Sequence, residues 1–445
     1  MKLSKALRLS KAPIVAVVGA GGKTIALFTL AIELAPSIIT TTTHFGEWQV
    51  NQSDGHIVVK PGAKLPNIPG DRVVVVTGEK ENDRFGGVDA GQLNELRDLA
   101  GSREVPFFIE SDGARQRPLK APASHEPVVP DFANTVIVVA GLKGMNNPLG
   151  EEHVHRPELF SQISGLEIGK NVTVDALGRV LMHPSGGLKN IPIHARKVAL
   201  FNQADTSELQ SQGKLLAEKI LPAYDAVVIA SLEATDKSHP ARRRIHAVHE
   251  QIAGIILAAG GSHRFGQPKQ LLDFHGKPFV RVIAEKALAA GLSPVIVVTG
   301  SHADEVEQAV DGLPVQTVHN PEWEAGQSTT IRKGISSLPA NCGGAVFLLS
   351  DQPQITIEVI RSLVVLHSQD LPAVLAPFVN DKRANPVLFD RETFYDLQKL
   401  NGEQGGRAIF SKFSPTYMEW ADDRLLMDVD TPEDYHRLLE SENEF

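Results

Sequence analysis

Between Gly254 and Lys269 the chain reads Gly-Ile-Ile-Leu-Ala-Ala-Gly-Gly-Ser-His-Arg-Phe-Gly-Gln-Pro-Lys. An apolar run that breaks into a glycine pair predicts a buried strand delivering a turn at its carboxyl end. Gly260 and Gly261 admit backbone angles that a side chain forbids, so successive amides can converge on a small anion. Arg264 and Lys269 add fixed positive charge to the same turn. The stretch therefore predicts a polyphosphate cradle.

Overall charge narrows what else the chain can bind. Asp plus Glu number 53 against 44 Lys plus Arg, a net charge of -9, which argues against a broad nucleic-acid surface. With 445 residues, 42% of them hydrophobic, the chain can bury large cores and is expected to hold two or more domains. Its single cysteine, Cys342, excludes a disulfide framework and a multi-cysteine metal site and fits a reducing cytoplasm. The apolar run Ile14 to Val18 is too short for a signal peptide, and no window approaches the ~18 apolar residues of a membrane helix. A soluble, cytoplasmic protein that contacts neither membrane nor nucleic acid is the expectation.

The same strand-and-glycine grammar occurs earlier. Residues 13 to 34 read as an apolar strand, then Gly19-Ala-Gly-Gly-Lys-Thr24, then a helix. The Walker A pattern wants a glycine where Val17 stands, so the match is shortened, but its working parts are present. Amides around Gly19, Gly21 and Gly22 open a helix N-terminus, Lys23 carries charge, and the Thr24 hydroxyl suits a magnesium ion. A strand at Val105 to Ile109 ends in Glu110-Ser-Asp112, the Walker B arrangement, in which Asp112 or Glu110 orients hydrated metal. Arg115, Arg117 and Lys120 follow at once and point to a site there. His153 and His155, two apart, suit hydrogen bonding or anion contact better than metal, for want of a clear third ligand. Asn202-Gln-Ala-Asp205 reads either as a guanine-reading signal with glutamine in place of lysine, or as a turn with a helix cap.

Gly19-Ala-Gly-Gly-Lys-Thr24, Thr40 to Thr43, Ile109-Glu-Ser-Asp-Gly-Ala-Arg115, Pro118-Leu-Lys-Ala-Pro122, His125-Glu-Pro127 and His155-Arg-Pro157 together resemble the YqeC-type family of selenium-dependent hydroxylase accessory proteins. That resemblance implies a P-loop-like fold binding ATP or GTP, connected with maturation of a molybdenum hydroxylase apoenzyme. Residues 1–235 form the expected N-terminal domain. Residues 236–251, with three adjacent arginines and a proline, read as a linker.

From residue 252 to 445, apolar strands and amphipathic helices alternate at a spacing that predicts a mostly parallel sheet covered on both faces. Ligands then belong at the carboxyl ends of the strands, where the opening turn falls and where Asp351 follows the run Ala345 to Leu349. A lone carboxylate at that edge suits magnesium shared with substrate phosphates. Leu426 to Asp434 predicts a short strand, then a helix with Thr431 at its cap and Pro432 in its first position, and Asp430 just ahead as a second metal-binding carboxylate. The fold class is α/β, with two doubly wound domains.

Leu257-Ala-Ala-Gly-Gly-Ser-His-Arg-Phe-Gly266 with Lys269, Gly326-Gln-Ser328, Ser350-Asp-Gln-Pro353, Asn385-Pro-Val387, Gly402-Glu-Gln-Gly-Gly-Arg407 and Asp428 to Asp434 resemble the MobA-like NTP transferases. The Ala-Ala-Gly opening is closer to the molybdenum cofactor cytidylyltransferases than to the guanylyltransferases. The resemblance implies a Rossmann-like, nucleotide-diphospho-sugar transferase-like domain. It also implies that the backbone from Ala258 and Ala259 through Gly260, Gly261, Ser262 and Gly266, with Arg264 and Lys269, holds CTP. Asp351 and Asp430 would bind Mg2+, Gly326 and Ser328 would lie near the nucleoside, and Asn385 and Arg407 near the pterin of a molybdopterin acceptor. Ala384-Asn385 stands where relatives usually show Gly-His, and Glu403 where they usually show Asp. The expected reaction is transfer of CMP to molybdopterin cofactor with release of pyrophosphate, for which Lys269, Arg264 and Asp351 are the candidate catalytic residues. A sugar-phosphate nucleotidyltransferase and a nucleotide-gated cofactor carrier are the alternatives.

Overall fold

The computed structural model describes residues 1–232, 243–261 and 265–442. The chain forms two units, Met1–His249 and Glu250–Phe445.

The main sheet of the first unit has nine strands, the inner ones made by valine, isoleucine and phenylalanine runs without alternation and largely buried on both faces, the two at its edges only partly buried. In chain order they are β1 (Ile14–Gly19), β2 (Ser37–Thr41), β3 (Gly55–Val58), β4 (Val73–Thr77), β5 (Phe107–Glu110), β6 (Thr135–Gly141), β7 (Arg196–Asn202), β8 (Ala226–Leu232) and β9 (Arg243–His249). They form one sheet in the order β9-β8-β7-β6-β1-β5-β2-β4-β3, parallel except for β9. Helix α1 (Lys23–Glu33) follows β1 directly. Because β1 lies between β5 and β6, the connections diverge at its carboxyl end, and a crevice opens there. The glycine turn and the acidic end of β5 meet at that crevice.

The linker expectation needs correction at its second half. Residues 243 to 249 are not a connection but the edge strand β9, paired antiparallel to β8. Their alternation places Ile245 opposite Ala230 and Ala247 opposite Ile229, enough apolar contact to complete a sheet edge. Residues 236 to 242 lie outside the described residues.

The second unit opens with β10 (Ile252–Ala258). Helix α2 (Phe279–Ala289), β11 (Val295–Thr299), β12 (Gln316–His319), α3 (Gln327–Ser336), β13 (Gly344–Leu349), α4 (Ile357–Asp370), β14 (Val374–Val379), β15 (Val387–Asp390), β16 (Thr416–Glu419) and α5 (Pro432–Glu442) follow. The sheet order is β12-β11-β10-β13-β15-β14, with β16 on β14. Only β15 and the short Lys382–Arg383 strand run antiparallel to the rest. Their reversal begins at Asn380 and Asp381, both at positive φ, which close a tight hairpin after β14. Apolar clusters cover both faces of the sheet, one centred on Ile256, Val297 and Leu348, the other on Ile255, Val298 and Phe347. The strand expected near Leu426 is instead a 3-10 turn, Asp423–Leu426, leading into α5. Its Asp422 carboxylate accepts from the Arg424 amide, and that capping curls the segment.

Candidate active sites

In the second unit β10 lies between β11 and β13, so its carboxyl end is again a switch point. A cleft of about 590 Å³ opens there, lined by Ala259, Gly260, Gly261, Lys269, Trp323, Gln327, Ser350 and Asp351 among others. Asp351 reaches it because β13 ends at Leu349 and turns within two residues. Lys269 Nζ lies 2.6 Å from Asp430 Oδ1 and 3.9 Å from Asp351 Oδ2, so one ammonium joins two carboxylates 79 positions apart in sequence. Thr431 and Asp434 bond reciprocally through side chain and backbone, a capping arrangement that fixes α5 and with it Asp430. Gln352 donates to Asp428 at 2.6 Å, bringing a third carboxylate to the same corner. Burial pushes the Asp351 pKa up to about 6; Lys269 opposes this, and Asp428 and Asp430 add to it. Asp351 and Asp430 against one ammonium leave excess negative charge, which suits a hard divalent cation that takes its remaining ligands from phosphate oxygens and water.

Gly326 shapes the far wall. Its φ of 107° belongs to glycine, and a Cβ there would stand 2.4 Å from the backbone of Gly402. The turn at 402–406 can therefore close on the start of α3, where the Ser328 amide donates to Gly402 O at 3.2 Å. Of the expected nucleoside-side residues, Gly326 lines the cleft and Ser328 does not. Ser328 is fully buried, and the α3 side chains that line the cleft are Gln327 and Thr330, three apart on one helical face. Ala258 is likewise buried behind the lining, while Ala259, Gly260 and Gly261 form it. Gly266 is exposed, at φ 81°, and is not among the lining residues. Ser262 and Arg264 lie outside the described residues. Trp323 was not singled out from the sequence, although an aromatic three residues before an obligatory glycine was a readable signal.

A second pocket of about 320 Å³ shares Leu257, Gln327, Leu349 and Glu403 with the first. Asn385 and Arg407 both line it, together with Arg383, Phe389 and Phe410. Cleft and pocket are therefore adjoining halves of one depression, divided by Gln327 and Glu403.

In the first unit the glycine turn differs from an open cradle. Gly19 N donates to Asp112 Oδ2 at 3.0 Å, Ala20 N to Val139 O at 2.8 Å and Gly21 N to Arg117 O at 3.1 Å. Lys23 Nζ donates back to Gly19 O at 2.7 Å and stands 3.2 Å from Asp112. Burial draws the Lys23 pKa down, but Asp112 and Glu110 more than offset this, and the net shift is upward. Among the described residues the amides of Lys23, Thr24 and Ile25, the first turn of α1, meet no acceptor outside the helix. Gly22, at φ 125°, is pressed against Asn202, whose side chain donates to Gly21 O at 2.9 Å.

The carboxylate facing Thr24 is Glu110, whose Oε2 lies 3.2 Å from the hydroxyl; Gln49 donates to that hydroxyl at 2.7 Å. Burial, reinforced by Asp112 and opposed by Lys23, pushes the Glu110 pKa up to about 7. Of the two candidate carboxylates, Glu110 and not Asp112 stands beside Thr24. Asp112 instead bonds Lys120 at 2.7 Å, and Lys120 also bonds Glu126 at 2.9 Å. Arg156 grips Glu126 with two nitrogens, at 2.8 and 3.0 Å. Burial would raise the Glu126 pKa, but Arg156 and Lys120 hold it near 2. His153 and His155 do not assemble with other ligands, and among the described residues no group of three His, Cys, Asp or Glu is arranged to hold a metal. Asp205 is paired with Lys143 at 2.8 Å, so its carboxylate has a partner of its own.

Comparison with known proteins agrees with this division. Residues 15–158 match the family model described as YqeC protein, and residues 254–416 match that of the MobA-like NTP transferase domain. The uncharacterized protein YqeC of Escherichia coli (strain K12) is 31% identical over 241 residues, 52% of this chain and 90% of that protein. Nicotine blue oxidoreductase of Paenarthrobacter nicotinovorans is 27% identical over 203 residues, 42% of this chain and 96% of that protein. A probable molybdenum cofactor guanylyltransferase of Bacillus cereus (strain Q1) is 31% identical over 138 residues, 31% of this chain and 66% of that protein. The chain belongs to the YqeC family through its first unit, and its second unit is a MobA-like NTP transferase domain.

Proposed function

We propose that the second unit transfers CMP from CTP to the phosphate of a molybdopterin cofactor. The observation that carries this reading is the convergence of Asp351 and Asp430 on Lys269, with Lys269 and Asp351 lining a cleft that Gly260 and Gly261 also wall. An acceptor phosphate oxygen forms a bond to the α-phosphorus, the bond from that phosphorus to the bridging oxygen breaks, and pyrophosphate leaves with the electron pair. No protein nucleophile is needed. A divalent cation held by Asp351 and Asp430 would neutralise charge on the phosphates. When phosphates enter, Lys269 can exchange its carboxylate partners for their oxygens. The adjoining pocket supports a second substrate beside the first, and the Ala258-Ala259-Gly260 opening supports cytidine over guanosine.

The experiment is incubation of the full chain with each nucleoside triphosphate, Mg2+ and molybdopterin cofactor, with products identified by mass spectrometry. A cytosine dinucleotide with stoichiometric pyrophosphate is expected. A guanine dinucleotide would overturn the choice of base, CMP transfer only to sugar phosphates would overturn the acceptor, and bound cofactor without turnover would favour a carrier.

For the first unit, the same reading assigns a phosphate of ATP or GTP to the open amides of Lys23, Thr24 and Ile25, with Mg2+ near Thr24 and Glu110. Equilibrium dialysis with labelled ATP and GTP tests it; no binding of either, or binding unchanged by Lys23→Ala, would refute it.

A further inference from the structure

Two arginines line the second pocket without a carboxylate bonded to either, Arg383 partly buried and Arg407 exposed at its rim. Arg383 and Arg407 both line it, and among the described residues neither guanidinium has a hydrogen bond or ion pair. The Arg383 guanidinium carbon lies 5.8 Å from the centre of the Phe410 ring. Burial, and after it the like charge of Arg407, lowers the Arg383 pKa from its ordinary value; Tyr417 and Asp428 pull weakly the other way. A partly desolvated cation facing a second cation is unfavourable unless something negative lies between them. The fold enforces the approach from two directions. The Asn380-Asp381 hairpin carries Arg383 into the pocket, and the 402–406 turn, closed against Gly326, carries Arg407 to it. Glu403 is also in the lining but is bonded to neither arginine.

We propose that Arg383 and Arg407 form an oxyanion subsite that binds the phosphate monoester of the acceptor. Two planar forks give paired hydrogen bonds to one tetrahedral dianion, and Phe389 and Phe410 offer apolar surface to the ring system that bears it. Arg383, which lies just ahead of the Ala384-Asn385 departure, is thereby a specificity residue for an acidic acceptor. The identity of the acceptor rests on the transferase reading; anion binding by the pair does not.

The test uses the full chain, with inorganic phosphate as the probe and calorimetric titration as the readout. Wild type is expected to bind phosphate, whereas Arg383→Gln and Arg407→Gln each bind it roughly 10- to 100-fold more weakly. Arg383→Lys is expected to recover part of the loss. In the transferase assay, Arg383→Gln raises the acceptor KM with little change in the KM for CTP. Arginine-dependent phosphate binding in a chain that transfers no nucleotide would keep the subsite and refute the reaction. Phosphate binding unchanged in both glutamine variants but lost in Lys269→Met would overturn the subsite, since the probe would then sit at the nucleotide turn. Native circular dichroism of each variant guards against misfolding, and a folded Arg383→Lys that binds no better than Arg383→Gln would also count against the proposal.

Discussion

Asp112→Ala is expected to be among the most damaging single changes in the first unit. Asp112 is 2% exposed and receives the Gly19 amide at 3.0 Å and Lys120 Nζ at 2.7 Å, with Lys23 Nζ at 3.2 Å. Its removal leaves two buried ammonium groups short of counter-charge and one backbone donor without an acceptor. Both lysines keep something: Lys120 retains Glu126 and Gly113 O, and Lys23 retains Gly19 O and the field of Glu110. Breaking a buried pair from one side costs about 3–5 kcal/mol, and these surviving contacts place the loss at the lower end of that range. At roughly 2–4 °C per kcal/mol for a unit of this size, its transition should fall by on the order of 10 °C. Scanning calorimetry of the full chain, with the two units' transitions fitted separately, measures it. Asp112→Asn, which keeps an acceptor for Gly19 but loses the charge, should show most of the same decrease. A shift below about 2 °C in metal-free buffer, together with loss of a Mg2+-induced stabilisation, would refute this account and restore Asp112 as a metal ligand.

The remaining expectations concern both units. Asp351→Asn should reduce pyrophosphate release in the transferase assay by roughly 100-fold or more while leaving the fold intact, because one charge of the cation-binding pair is gone; a full rate would remove Asp351 from the site. Gly326→Ala should destabilise the second unit by about 2 kcal/mol or more and widen the cleft, since its Cβ would meet Gly402 at a backbone angle that alanine avoids. Urea titration would show it as a lower midpoint. His155 and His249 have pKa values lowered to about 4, in each case chiefly by burial, so the unfolded chain takes up protons first as pH falls below 6.5. The two histidines therefore pull the stability of the first unit down from pH 6.5 to 4, and Glu110, raised to about 7, offsets part of this above its unfolded value of about 4.5 because its folded form takes up the proton first. Glu126, held near 2, gives up its contribution only below its unfolded value of about 4.5, so it does not mask that decline. His249→Gln should flatten the pH dependence of the urea midpoint, and an unchanged slope would contradict the assignment.

How far the sequence spoke differs from residue to residue. The strands β1, β5, β10 and β13 were readable because they are buried on both faces, and continuous apolar runs have few other uses in a parallel sheet. The site residues at their ends, Asp351 above all, followed from that register. Ser328 shows where local reading stops: it belongs to the motif, but helical phase turns Gln327 and Thr330 to the cleft instead. Arg383 gave no signal of its own, since its meaning depends on Arg407, 24 positions later and brought near by a separate turn.

The acidic pair in the first unit makes the same point more sharply. The sequence determined that a glycine turn and a strand ending in Glu110 and Asp112 would meet, because alternating strands and helices wind only one way around such a sheet. It did not determine which carboxylate serves which partner. Successive side chains on a strand alternate between faces, but here the chain leaves β5 at Glu110 and turns. Only the turn that brings Lys120 back onto Asp112 from eight residues on, and the approach of Lys23 from α1, assign Asp112 to the lysines and leave Glu110 beside Thr24. The Gly254 to Lys269 stretch likewise determined a strand and a glycine turn from its own residues. The carboxylates that meet Lys269 come from the end of β13 and the cap of α5, positions that chain order separates and the fold brings together.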